Sequence, residues 1–187
     1  MKTVKLNRCI DNHEQEYEVF YPKTREDIAV LLKQCREANK SVFPVSSGNN
    51  WGYGSSTSSS PATSCIMNLS PMPGVIDFDA ENGLLTFGPS LTQGKLHEYL
   101  EKNNLPFMTP TTGAGPNANI LGNLLERGFA MTPIHDHTES LMSLKAVLPN
   151  GSFYQSGLAE AGFHEIDKKF KWGTGPYLDM LFQQSIY

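Results

Sequence analysis

Asp136 sits between two histidines in Thr132-Pro-Ile-His-Asp-His137, a placement open to more than one chemistry. Two imidazoles at i and i+2 on extended chain point to the same side and could share a metal. A third ligand would have to come from His97, His164 or a remote carboxylate, with no spacing motif behind it, so metal binding is disfavoured. What remains is a loop carboxylate accepting N–H groups after a proline turn, or a fixed charge facing a bound group. The run upstream favours the second: Pro110-Thr-Thr-Gly-Ala-Gly-Pro-Asn-Ala-Asn-Ile-Leu-Gly-Asn-Leu-Leu-Glu-Arg-Gly128 concentrates small residues and main-chain donors with little apolar content. Gly113, Gly115, Gly122 and Gly128 allow close backbone approach, as a ligand-contacting segment requires.

A second segment of this character is Pro44-Val-Ser-Ser-Gly-Asn-Asn-Trp-Gly-Tyr-Gly54, directly after the strand-like Ser41-Val-Phe-Pro-Val45. Successive N–H groups in such a turn can form a concave nest for an anion, and polyphosphate is the obvious guest; taken alone, the run also reads as a glycine-rich surface loop. Gly113-Ala-Gly-Pro-Asn-Ala118 formally satisfies the dinucleotide fingerprint G-x-G-x-x-A. That fingerprint needs a strand running straight into the turn and a long helix leaving it. Here Thr109-Pro110 interrupts the approach and the helix from Ile120 ends by Gly128, so the match is a decoy.

Elements that must position these loops follow from patterning. Glu18-Val-Phe-Tyr21 reads as a strand stopped by Pro22, and Thr24-Arg-Glu-Asp27 as the capping-box start of a helix carrying Ile28, Leu31, Leu32, Cys35 and Ala38 to Asn39-Lys40. Ser55-Ser-Thr-Ser-Ser-Ser-Pro61 is a linker by composition, dividing the chain into residues 1–64, a small βαβ unit, and 65–187, a larger unit. In the latter, Ile66–Leu69, Val75–Asp79 and Leu84–Gly88 are strand-like, with Glu81-Asn-Gly83 as a hairpin turn. A helix capped by Thr92 is expected from Gln93 to Asn103, then strand-like Leu105–Met108, and a second hairpin about Asn150-Gly151 between 141–148 and 152–155. The fold class is α+β, without internal repeats.

At 187 residues, with 39% hydrophobic and 18% charged residues, the chain can bury a real core. Its net charge of −4 and lack of a lysine or arginine block disfavour nucleic acid and anionic membranes as partners. The first residues lack a signal-peptide core and no run is long enough to span a bilayer, so a cytoplasmic location is expected. Cys9, Cys35 and Cys65 are widely spaced and odd in number, which argues against a disulfide framework or zinc site and reads as small buried thiols.

The two glycine-rich segments, the unit from Ile66 through Leu105, the Gly122-Asn-Leu-Leu-Glu-Arg-Gly128 and Thr132–His137 stretches, and the tail Gly173-Thr-Gly-Pro-Tyr-Leu-Asp-Met-Leu-Phe-Gln-Gln-Ser185 together resemble the flavin-binding (PCMH-type) domain of the vanillyl-alcohol oxidase and p-cresol methylhydroxylase family. The resemblance implies a small βαβ lobe and a larger, mostly antiparallel lobe, with FAD extended between them. On the first segment it implies cofactor contacts from Pro44, Val45, Ser46, Ser47, Gly48, Asn49, Asn50 and Gly52. On the second it implies Pro110, Thr112, Gly113, Gly122, Asn123, Gly128, Thr132 and His137. It places Asp136 near the reactive edge of the flavin as the catalytic carboxylate, where a fixed charge tunes the ring or takes a proton.

Many relatives attach the flavin through a histidine of the phosphate loop. Ser46-Ser-Gly-Asn-Asn50 has neither histidine nor cysteine, so FAD is expected to bind non-covalently. Others attach it through a cap domain that also carries the substrate pocket, and the sequence reaches Ser185-Ile-Tyr187 before such a domain would begin. Three readings stay open: a piece or subunit of a flavin-dependent oxidoreductase that needs a cap or second chain, a stand-alone FAD-binding module, or a remnant that no longer binds flavin. A homo-oligomer is compatible with each.

Overall fold

The computed structural model describes residues 2–7, 14–49, 57, 58, 60–128, 137–171 and 178–183. Strands β1 (Lys2–Asn7) and β2 (Glu14–Phe20) form an antiparallel pair. Pro22 cannot continue the ladder, and the chain turns into helix α1 (Arg25–Glu37). Its capping box is complete: Asp27 N–H donates to Thr24 Oγ1 at 3.1 Å, and the Asp27 carboxylate accepts from the Thr24 N–H at 3.1 Å. The helix ends where Asn39 takes a left-handed φ of 51°. Ala38, expected on the apolar face, is instead the exposed C-cap.

From there β3 (Ser41–Val45) and β4 (Ser64–Asn68) complete a mixed sheet in the order β1-β2-β4-β3, with β4 parallel to both neighbours. A strand flanked on both faces must be apolar on both, and in β4 Ile66 joins Tyr17, Val19 and Val45 on one face while Cys65 and Met67 pack with Leu31 and Cys35 of α1 on the other. Because β4 belongs to this sheet, the sheet runs across the 64/65 division expected from the linker. Ser55, Ser56 and Ser59 of that linker lie outside the described residues.

The remainder is built from short antiparallel hairpins and helices. Strands β5 (Val75–Asp79) and β6 (Leu84–Phe87) pair about a turn in which Gly83 has φ 66°. Helix α2 (Gln93–Lys102), capped by Thr92, and helix α3 (Ile120–Leu125), capped by Asn119, join the hairpin around a core of Leu91, Leu96, Leu100, Ile120 and Leu124. Leu105–Met108, expected as a strand, pairs with nothing among the described residues: Pro106 brings no ladder donor, the Phe107 N–H turns back to Leu105 O at 2.8 Å, and Met108 is exposed.

Strands β7 (Lys145–Val147) and β8 (Phe153–Gln155) form the second hairpin. β7 is shorter than its apolar run, because Leu144 bonds to Ser156 through both the Ser156 N–H and hydroxyl. The hairpin lies against α1, with the Arg25 guanidinium 4.7 Å from the centroid of the Phe153 ring. Short helices α4 (Gly157–Glu160) and α5 (His164–Asp167) follow. The fully buried Asp179 accepts from Tyr154 Oη at 2.5 Å and Ser156 Oγ at 2.7 Å, fastening the last described turn to β8. No helix among the described residues is long and apolar enough to cross a membrane.

Candidate functional site

β3 delivers the first glycine segment. Val45 is a core residue, so at this position only the main chain reaches the loop side; its carbonyl accepts the Leu69 N–H at 2.7 Å. Pro44 is exposed on the strand. The chain then turns through Ser46, Ser47, Gly48 and Asn49, with Gly48 at φ 75°. A left-handed residue among right-handed ones aims consecutive N–H groups to one side, the basis of an anion nest. Asn50 and Gly52 lie outside the described residues.

The second segment is held against the start of α2. Gln93 clamps Thr112 twice, its amide donating to Thr112 Oγ1 at 2.8 Å and its carbonyl oxygen accepting the Thr112 N–H at 3.3 Å. Gln93 N–H and Gly94 N–H donate to Ala118 O at 3.0 Å and Pro116 O at 2.7 Å. Contact at Gly94 is so close that a Cβ there would lie 3.1 Å from both the carbonyl oxygen and Cβ of Pro116. Asn119 donates to Pro89 O and Leu91 O while its Oδ1 accepts the Gly122 N–H at 2.8 Å. The Gly122 donor is therefore taken by the α3 cap. Pro110 is half-buried, and Gly113 and Gly115 have nothing within 4 Å of where a Cβ would sit, so something flat can lie on this backbone.

Asn123, Gly128 and His137 converge just beyond α3. His137 Nδ1 hydrogen-bonds Asn123 Oδ1, the His137 N–H donates to Gly128 O at 2.8 Å, and the Gly128 N–H to Asn123 O at 2.8 Å. A Cβ at Gly128 would overlap the Asn123 amide, so glycine is required here for packing. Thr138 Oγ1 adds a 2.6 Å bond to Leu124 O. Asp136 and Thr132 lie outside the described residues, but the residue following Asp136 is buried and anchored at both main chain and ring.

A groove of about 540 Å³ separates the two glycine segments. Ser46, Ser47 and Asn49 form one wall, and Ser90, Thr92, Gly94 and Lys95 at the start of α2 face them, with Pro116 and Asn117 alongside. Ser70 and Glu98 also reach it. Most of the lining residues carry a hydroxyl or an amide. Helix α2 offers no spare N–H groups at its end: those of residues 93 and 94 go to the second segment, and those of 95 and 96 return to Thr92. Among the described residues, the 46–49 turn and Lys95, whose Nζ lies 3.4 Å from Ser90 O, are the groups suited to an anion in the groove, with the carboxylate of Glu98 against it. Of the expected contacts, the structure brings Ser46, Ser47 and Asn49 to this groove. Thr112 and Gly113 are in the facing segment, while Asn123, Gly128 and His137 form a separate cluster. Lys95 escaped the sequence reading, yet it carried a signal: a basic residue in the first turn of a helix opposes the helix dipole, as an anion-binding role would explain.

A model of the FAD binding domain matches residues 18–157. The chain belongs to the FAD binding domain family. It is similar to the flavoprotein subunit of 4-cresol dehydrogenase (hydroxylating) of Pseudomonas putida, 32% identical over 164 residues that make up 88% of this chain and 31% of that protein. It is also similar to 1'-carboxy-chondrochloren decarboxylase of Chondromyces crocatus, 29% identical over 167 residues, 89% of this chain and 31% of that protein. Superposition on the crystal structure of p-cresol methylhydroxylase with substrate bound gives a TM-score of 0.82 at 31% identity, covering 90% of this chain and 33% of that one. The chain thus spans about a third of the length of these relatives. Its fold is the PCMH-type flavin-binding fold, and FAD is the cofactor of this domain.

The residues present fit that cofactor. A dinucleotide lying extended needs a phosphate cradle and bare backbone for flat groups; the Gly48 turn with Lys95 opposite supplies the first, and the open faces of Gly113 and Gly115 the second.

Proposed function

We propose that this chain is the FAD-holding part of a flavin-dependent oxidoreductase acting on an aromatic alcohol or alkylphenol, with the substrate pocket completed by further polypeptide or by a second chain. FAD is bound non-covalently, its pyrophosphate against Ser46 to Asn49 with Lys95 opposite. The observation that carries the reading is the polar groove between the left-handed turn at Gly48 and the start of α2. When bound, FAD supplies two-electron acceptance from the substrate. The protein's share is positioning. Thr112 and Gln93 hold the second wall in place, and the Asn123–His137 cluster fixes the chain next to Asp136, which then presents a carboxylate to the ring or takes the substrate's proton. The relatives' names support the substrate class, since the flavoprotein subunit of 4-cresol dehydrogenase is among them.

Titrating FAD into the purified protein and following flavin fluorescence tests the placement. Gly48→Val puts a β-branched side chain at a left-handed φ and blocks close approach together, so FAD affinity falls by at least roughly tenfold while the far-UV spectrum is unchanged. Unaltered affinity in that variant refutes the phosphate placement.

A further inference from the structure

A second chemistry is built into the sheet, independent of the flavin site. Cys35 of α1 and Cys65 of β4 come from positions far apart in sequence, are 4% and 0% exposed, and bring their sulfurs to 2.8 Å. Around them stand Leu31, Met67, Ile28 and Leu69; Cys65 Sγ also lies 3.7 Å from Ser41 O, and the Lys40–Glu18 ion pair is near enough to act on the Cys65 thiol. Two thiols in such contact need to close by less than roughly 1 Å to reach bonding distance. We propose that Cys35 and Cys65 are an oxidation site that forms a reversible intramolecular disulfide, fastening α1 to the central strand of the sheet whose β3 leads into the 46–49 turn.

The reaction balances with a peroxide as oxidant. Cys35 sulfur attacks one peroxide oxygen, the O–O bond breaks, and water leaves with a sulfenic acid on Cys35. Cys65 sulfur then displaces the hydroxyl as a second water, so two S–H bonds are lost, one S–S bond forms, and both electrons end on peroxide oxygen. Burial and the neighbouring sulfur push the Cys65 thiol up, which disfavours its thiolate as an attacking group. Burial of both thiols makes the step slow, dependent on opening of α1. Cys9, the remaining cysteine, lies outside the described residues and is not needed.

The test treats the full chain with hydrogen peroxide, quenches, alkylates under denaturing conditions, and maps peptides by mass. The expected product has lost the mass of two hydrogens, carries a cross-linked Cys35–Cys65 peptide pair, and reverts with dithiothreitol. Its thermal midpoint rises by on the order of 5 °C, because the bond closes a loop of about 30 residues. Cys9→Ser gives the same product, and Cys35→Ala, which preserves a small apolar side chain, gives none. Separate alkylation of Cys35 and Cys65 after peroxide, added oxygen on either, or a bond to Cys9 overturns the proposal.

Discussion

Gly48, Lys95 and Gly128 each do a different job, and each fails in its own way when changed. At Gly48 the constraint is backbone conformation, with φ at 75°. At Lys95 it is charge: among the described residues it is the basic one lining the groove, and the α2 N–H groups are already engaged. Lys95→Gln therefore weakens FAD binding by roughly threefold to tenfold and flattens its salt dependence, because the screened term is the one removed; FAD titrations at low and high ionic strength check both. At Gly128 the constraint is volume. Gly128→Ala forces the new methyl into the Asn123 amide and destabilises the protein by about 1–3 kcal/mol, as overpacking does. Asn123→Ala in the same chain relieves that overlap, so the double variant is more stable than the sum of the single losses implies, measured by urea unfolding.

The elements divide into those whose signals are local and those set by distant partners. Thr24 and Asp27 specify the start of α1 by themselves, and Thr92 does the same for α2, so both helices were legible in the sequence to within a residue. The strand expected at Leu105–Met108 was not, because apolar alternation says nothing about whether a partner edge exists, and Pro106 removes the donor that one would need. The site was legible to the same degree. Glycine runs mark where a backbone must stay bare, which identified both segments, but residues such as Ser70 and Pro116 line the groove only because the fold carries them there. Cys35 and Cys65 likewise look unrelated by spacing and meet only when β4 inserts between β2 and β3. At this scale the α1 cap is testable. Thr24→Ala costs about 1 kcal/mol in chemical denaturation. Hydrogen bonds from the Lys23 and Thr24 N–H groups hold the Asp27 carboxyl below its ordinary range. A depressed folded value means stability that is present above the ordinary carboxylate range and lost as pH falls through the folded value. Asp27→Asn should therefore lose less stability than the parent on acidification, compared by urea midpoints across that range.

At the scale of the molecule, Ser46, Ser47 and Asn49 of the first glycine segment and Pro116 and Asn117 of the second line one groove, as a dinucleotide held by two loops requires and a single Rossmann turn would not. Positioning FAD and recognising a substrate are separable tasks, and the groove between the 46–49 turn and α2 serves the first. The chain's bound flavin should be reduced by dithionite and reoxidised in air, while aromatic alcohols turn over little or not at all; steady oxidation of such an alcohol by these 187 residues alone would place a substrate site within the flavin domain. Binding of FAD by the chain itself, without a covalent bond, is what the proposed function requires first. The direct measurement is to saturate the purified protein with FAD, remove the excess by gel filtration, record the visible spectrum and precipitate with acid. Stoichiometric flavin that moves into the acid supernatant is the result expected. Protein that emerges colourless from the column, or colour that stays with the precipitate, contradicts it.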